Sequence, residues 1–135
     1  MAAGYSGTPL IKKLGFTREM SVVLLQAPPN LTDLLGDLPS GVRVSRRLTS
    51  RADAVLIFVQ HAADLSTRVL ALKSAVAPDG MVWVAWPKRA SEMPTDLTED
   101  VIREIVLPTG LVDVKVCAID DRWSGLKLVI RKSLR

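Results

Sequence analysis

One cysteine and one histidine, Cys117 and His61, make up the whole thiolate and imidazole inventory of this chain. A lone cysteine excludes an intrachain disulfide and any zinc site built on thiolates, and a single imidazole leaves metal chemistry nearly without ligands. Aromatics are scarce, at 4% of 135 residues, and the basic residues are scattered rather than interleaved with stacking rings. With 18 basic against 14 acidic residues, the net charge of +4 is too small to read as a nucleic-acid footprint. Long apolar runs are missing too: the longest, residues 54–59 and 81–86, fall far short of the roughly 20 residues a bilayer-spanning helix needs. The amino terminus offers neither a basic start nor an apolar stretch, so no secretory signal is expected and a cytoplasmic location follows by default. What remains is an ordinary globular composition, 48% hydrophobic and 24% charged, expected to fold as one domain over residues 1–135. Residues 1–7 and 132–135 are the parts expected to fray.

What is present is a run of alternating elements. Val22, Val23, Leu24 and Leu25 form an apolar strand that Pro28 and Pro29 end. Val42 and Val44 alternate with polar residues as a short half-exposed strand, and residues 54–59 read as a central strand covered on both faces. Leu65, Val69, Leu72 and Val76 recur at helical spacing, and Pro78-Asp79-Gly80 closes that helix before a strand over residues 81–86. Asp96-Leu97-Thr98-Glu99 offers a capping box, with Asp96 as N-cap, to a helix carrying Leu97, Val101 and Ile105 on one face. Strands over 111–119 and 126–131 flank a turn too short for a crossover, so this last pair is antiparallel. Only residues 48–53 separate the second and third strands. Extended at about 3.3 Å per residue they reach roughly 20 Å, enough to return along one strand, so an extended link rather than a helix is expected there. The fold class is therefore α/β: a Rossmann-like, mostly parallel sheet of about six strands in the order 2-1-3-4-6-5, the last strand antiparallel, flanked by helices.

That order is the one class I methyltransferases elaborate, and residues 72–88 resemble their passage of helix, Pro-Asp-Gly and strand. A closer resemblance rests on Tyr5-Ser6-Gly7-Thr8-Pro9-Leu10 with Lys12-Lys13-Leu14-Gly15, then Pro78-Asp79-Gly80-Met81, Trp86-Pro87-Lys88, Thr95-Asp96-Leu97-Thr98 and Trp123-Ser124-Gly125-Leu126-Lys127. Nearly end to end, the chain is similar to a small bacterial family known as domain-of-unknown-function family 3052. The resemblance implies the fold and brings no activity with it.

An adenosyl cofactor requires a glycine-rich turn after the first strand and an acid ending the second. Gln26-Ala27-Pro28-Pro29-Asn30 holds no glycine and two residues without an N–H, and Ser45-Arg46-Arg47 stands where the acid belongs. No cofactor is expected, and glycines in place of Pro28 and Pro29 are expected to admit weak adenosyl binding. Arg46 and Arg47 fit a phosphate, or simply an edge strand blunted by charge. Gly-x-Ser-x-Gly, P-loop and metal-ligand spacings are all absent, and Cys117 falls inside an apolar strand.

In open parallel sheets ligands bind beyond the carboxyl ends of the strands. The polar residues that topology brings there are Gln26, His61, Lys88 and Arg89, joined by Asp120, Trp123 and Ser124 from the last hairpin. Tyr5 is a candidate lid over the same edge. Lys88, Trp123 and Ser124, with His61 or Gln26, are expected to line one concavity. The functional reading is a non-enzymatic binding or regulatory module for a protein partner or a small anionic ligand. The alternative is a divergent S-adenosylmethionine-dependent methyltransferase or other small-molecule transferase, using Lys88, His61 and Asp120.

Overall fold

Six strands and four α-helices account for most of residues 9–135, the part of the chain described by the computed structural model. In chain order they are α1 (Leu10–Leu14), β1 (Ser21–Leu25), α2 (Leu31–Leu35), β2 (Arg43–Ser45), β3 (Ala52–Phe58), α3 (Ala62–Ala75), β4 (Val76–Pro87), α4 (Glu99–Val106), β5 (Leu111–Ala118) and β6 (Trp123–Ile130). The sheet order is β2-β1-β3-β4-β6-β5. β2, β1, β3 and β4 run parallel, and β6 is antiparallel to both of its neighbours. The order and the reversed strand are those the sequence implies. Tyr5 and the candidate lid lie outside the described residues.

Parity along the strands sorts the core into two layers, because successive side chains point to opposite faces. Val23, Val55, Ile57, Val82 and Val84 pack beneath α3 and α4, against Leu65, Leu72 and Ile102. Val22, Leu24, Leu56, Phe58 and Trp83 pack beneath α1 and α2, against Leu14 and Leu31. β3, between β1 and β4, is therefore buried on both sides, as its continuous apolar run requires. Trp83 is wholly buried, and its indole Nε1–H donates to the Leu14 carbonyl at 2.9 Å, so the largest core side chain also holds α1.

Several local readings need correction. Residues 48–51 contain no helix, as expected, but the link is not extended throughout: residues 50 and 51 form a turn with Arg51 at φ 58, and β3 begins at Ala52 rather than at 54. β4 is longer than residues 81–86: it starts at Val76 and runs through Pro78-Asp79-Gly80, which bulge between the pairs Ala52↔Val76 and Ala54↔Met81. Gly80 is required there, since a Cβ would meet the Asp53 carbonyl oxygen at 2.8 Å and the Ala52 oxygen at 3.0 Å. The capping box does not form. Thr98 caps α4 by accepting from Val101 N–H at 3.1 Å, while Asp96 Oδ1 accepts from Ala62 N–H at 2.8 Å and so caps α3. Glu99 turns instead to Arg103, which also binds Asp100 at 3.0 Å and Asp113 at 2.9 Å and so fastens α4 to β5. The Arg103 hydrogen bond holds the Asp113 carboxyl below its ordinary pKa.

Candidate functional site at the carboxyl edge

β1 and β3 lie side by side at the point where the strand order reverses, the place such sheets offer to a ligand. Here that crevice is shut. Gln26, the residue after β1, sits at φ 55, a left-handed conformation that favours glycine. From it the side-chain amide donates to the carbonyl of Phe58, which ends β3, at 2.8 Å, and to Asp64 in the first turn of α3 at 2.9 Å. The Gln26 hydrogen bond, followed by Arg68, holds the Asp64 carboxyl below its ordinary pKa. Residues 27–30 follow with no glycine and with two prolines. At the end of β2, Ser45 Oγ accepts from Arg47 N–H and donates to Arg47 O, and the exposed Arg46 and Arg47 take the place of a ribose-binding acid. An adenosyl cofactor does not fit these residues: two of the five turn residues 26–30 lack an N–H, none is glycine, and arginines stand where the acid belongs.

Beside this Gln26 bridge the edge is open. The segment 88–98, between β4 and α4, is pinned against α3's start where the Thr95 hydroxyl donates to Gln60 O at 2.6 Å and the Gln60 amide to Pro94 O at 2.9 Å. It divides the edge into two clefts that share Met93. One, of about 420 Å³, has Trp86, Pro87 and Leu97 among its apolar walls and Arg89, Asp96 and Glu99 among its polar ones. The other, of about 450 Å³, is bounded by Pro28, Pro29, Met93 and Trp123, with Asn30, Asp120 and Arg122 as its polar part.

The sequence-derived candidates divide accordingly. Arg89 lines the first cleft, and Asp120 and Trp123 the second. Asp120 is only 4% exposed, and its Oδ1 accepts from both Arg122 N–H and Trp123 N–H at 2.8 Å, so its carboxylate shapes the hairpin. Trp123 meets Phe58 edge to face with ring centroids 5.0 Å apart. Lys88 lines neither cleft; its N–H donates to the carbonyl of Arg122, which lines the second, at 2.8 Å. Ser124, half-buried in β6 between Trp86 and Ala118, lines neither cleft. His61 lines neither as well: exposed at the N-cap of α3, it stands 4.0 Å from Asp96. Gln26 closes the crevice next door. Arg122 and Met93 were not among the candidates, although continuing the β4–β6 pairing one step past Pro87↔Trp123 puts Arg122 beside Lys88.

No group of three or more potential metal ligands occurs among the described residues, and no described helix is long and apolar enough to cross a membrane. Burial pushes the Cys117 thiol pKa up, against use as a nucleophile.

The architecture has many solved counterparts. A SAM-dependent methyltransferase from Aquifex aeolicus superposes with a TM-score of 0.63 at 13% identity, covering 90% of this chain and 87% of that one. A putative type 11 methyltransferase from Sulfolobus solfataricus gives 0.60 at 12% identity, covering 84% and 85%. Aeropyrum pernix fibrillarin, in complex with S-adenosyl-L-methionine, gives 0.57 at 12% identity, covering 93% and 70%. At these identities the likeness shows the fold alone. No curated protein matches the sequence. Residues 31–132 match the model of a family described as "Protein of unknown function (DUF3052)".

Proposed function

This chain belongs to the DUF3052 family, and we propose that it is a binding module without an adenosyl cofactor, holding a small anionic ligand in the Trp123 cleft. The observation that carries this reading is a cleft walled by Trp123, Met93, Pro28 and Pro29 and lined by Arg122, whose carbonyl accepts from Lys88 N–H at 2.8 Å, so that a second cation follows from the neighbouring strand end. Neither cation is in an ion pair among the described residues. An apolar body with a phosphate or carboxylate head suits such a seat, because a guanidinium and an ammonium favour the charged head and the walls favour the body.

Thermal unfolding with phenyl phosphate, inorganic phosphate and S-adenosylmethionine tests it. A bound ligand at 100 times its dissociation constant adds about 2.7 kcal/mol. Phenyl phosphate is expected to stabilise the protein more than inorganic phosphate does, and Lys88→Met or Arg122→Met to remove the effect while changing basal stability by less than about 0.5 kcal/mol. Stabilisation by S-adenosylmethionine instead would favour the second reading, a divergent transferase, which the shared fold supports. A large stability loss in Lys88→Met would make that residue structural.

A further inference from the structure

Residues 38–52, which line neither of these clefts, carry Arg43, Arg46, Arg47 and Arg51 and no acidic residue, so this one segment holds four positive charges, equal to the net charge of the whole chain. All four arginines are exposed, and none is in an ion pair among the described residues. The segment contains β2, the terminal strand of the sheet. Arg43 N–H donates to Met20 O at 2.9 Å. Successive residues of a strand direct their backbone groups to alternate sides, so the N–H and C=O of Val44 face the open edge. The Val44 side chain is 42% exposed. It borders a hollow of about 130 Å³ lined also by Leu24, Leu35, Leu38 and Arg46.

Outward backbone donors, an apolar notch and flanking cations are what a docked extended chain would use together. We propose that this edge binds an acidic polypeptide segment, which adds to the sheet alongside β2. Its main chain pairs with Val44, one aliphatic side chain enters the notch beside Leu24 and Leu35, and its carboxylates face Arg46 and Arg47. Single-stranded nucleic acid is the lesser fit. Residues 38–52 contain no aromatic side chain on which a base can stack, and the notch is apolar. Arginines that merely blunted the edge would not require the notch.

Fluorescence anisotropy on the full chain tests the proposal. The probe is a short fluorescein-labelled peptide alternating glutamate and valine around a central leucine; its controls replace each glutamate by glutamine, or the peptide by an oligothymidine. The acidic peptide is expected to bind at least about tenfold more tightly than the glutamine version and to weaken as salt is raised. Arg46→Glu/Arg47→Glu should lower its affinity at least about tenfold while leaving the melting temperature and phenyl phosphate binding unchanged. Val44→Pro removes the outward N–H, which a sheet edge tolerates, and should weaken the peptide comparably. Undetectable binding, equal binding of the glutamine peptide or by the charge-reversed variant, or tighter binding of oligothymidine would each overturn it.

Discussion

Where Gln26 bridges β1 to β3 and α3 the carboxyl edge is closed by a single amide, whereas beside that bridge, from the turn after β1 to the segment after β4, the same edge opens into two clefts. The first region is fastened by contacts distant in sequence, since Gln26 reaches the end of β3 and the start of α3. The second is bounded by the segment 88–98, several of whose bonds are local, such as Ser91 Oγ to Lys88 O. The sheet order depends on the buried faces of β1, β3 and β4 rather than on the turn over its switch point. The fold supplies the edge, and where along it a ligand can sit is decided by two or three turn residues.

The largest effect should come from beneath both regions. Trp83→Ala removes a wholly buried ring and leaves the Leu14 carbonyl without its donor; a loss of about 4 kcal/mol is expected in urea unfolding. A loss under about 1 kcal/mol would mean that α1 and the core relax independently, and the two regions would no longer share a scaffold.

Asp120→Ala acts on the open region alone. Two N–H groups lose a common acceptor, which should cost about 2 kcal/mol and reorient Trp123, seen as a change in indole fluorescence. Phenyl phosphate binding should fall with it, although Asp120 need never touch the ligand. If stability falls while binding persists, the hairpin does not shape the cleft.

The extent to which sequence foretold these two regions differs for a physical reason. Strand order was legible because it rests on burial and chain length: residues 54–59 were apolar throughout, and residues 48–53 were too few to hold a crossover helix. α2 was not legible, since a five-residue helix shows barely one turn of periodicity. Asp96 was assigned to the nearer helix by spacing alone, yet packing brings the start of α3 to the same carboxylate. The Gln26 bridge spans 32 and 38 residues, and nothing local in Gln26-Ala27-Pro28 announces it. Sequence therefore pointed to polar residues at strand ends, and tertiary contacts decided that Gln26 bridges the edge, that Arg89, Asp120 and Trp123 line clefts, and that Ser124 and His61 line neither.

Gln26→Gly should change stability little, within about 1 kcal/mol, because relief of the left-handed backbone offsets the lost amide bonds. The two prolines still withhold N–H groups from the turn, so this variant is expected to leave S-adenosylmethionine unbound in calorimetry. Adding Pro28→Gly and Pro29→Gly should be needed before weak binding appears. Binding to the single variant would make Gln26 alone the barrier.

The smallest effect is the most local test of the closed crevice. Asp64 has a folded-state pKa below its ordinary value of 3.8, chiefly because the Gln26 amide binds its carboxylate and secondarily because Arg68 does. A carboxyl whose pKa is depressed on folding contributes stability that is present above the unfolded pKa and lost as pH falls through the folded one. In carboxyl-detected NMR titration, Asp64 should therefore titrate below 3.8 in the natural protein and move upward in Gln26→Gly. The Arg68→Ala shift should be smaller, since the Gln26 bond remains. Asp113, held by Arg103 on α4, should not respond to either change. An Asp64 titration indifferent to Gln26 would mean that the amide does not bridge β1 to α3 in solution, and the contrast between a closed and an open region would fail at its first residue.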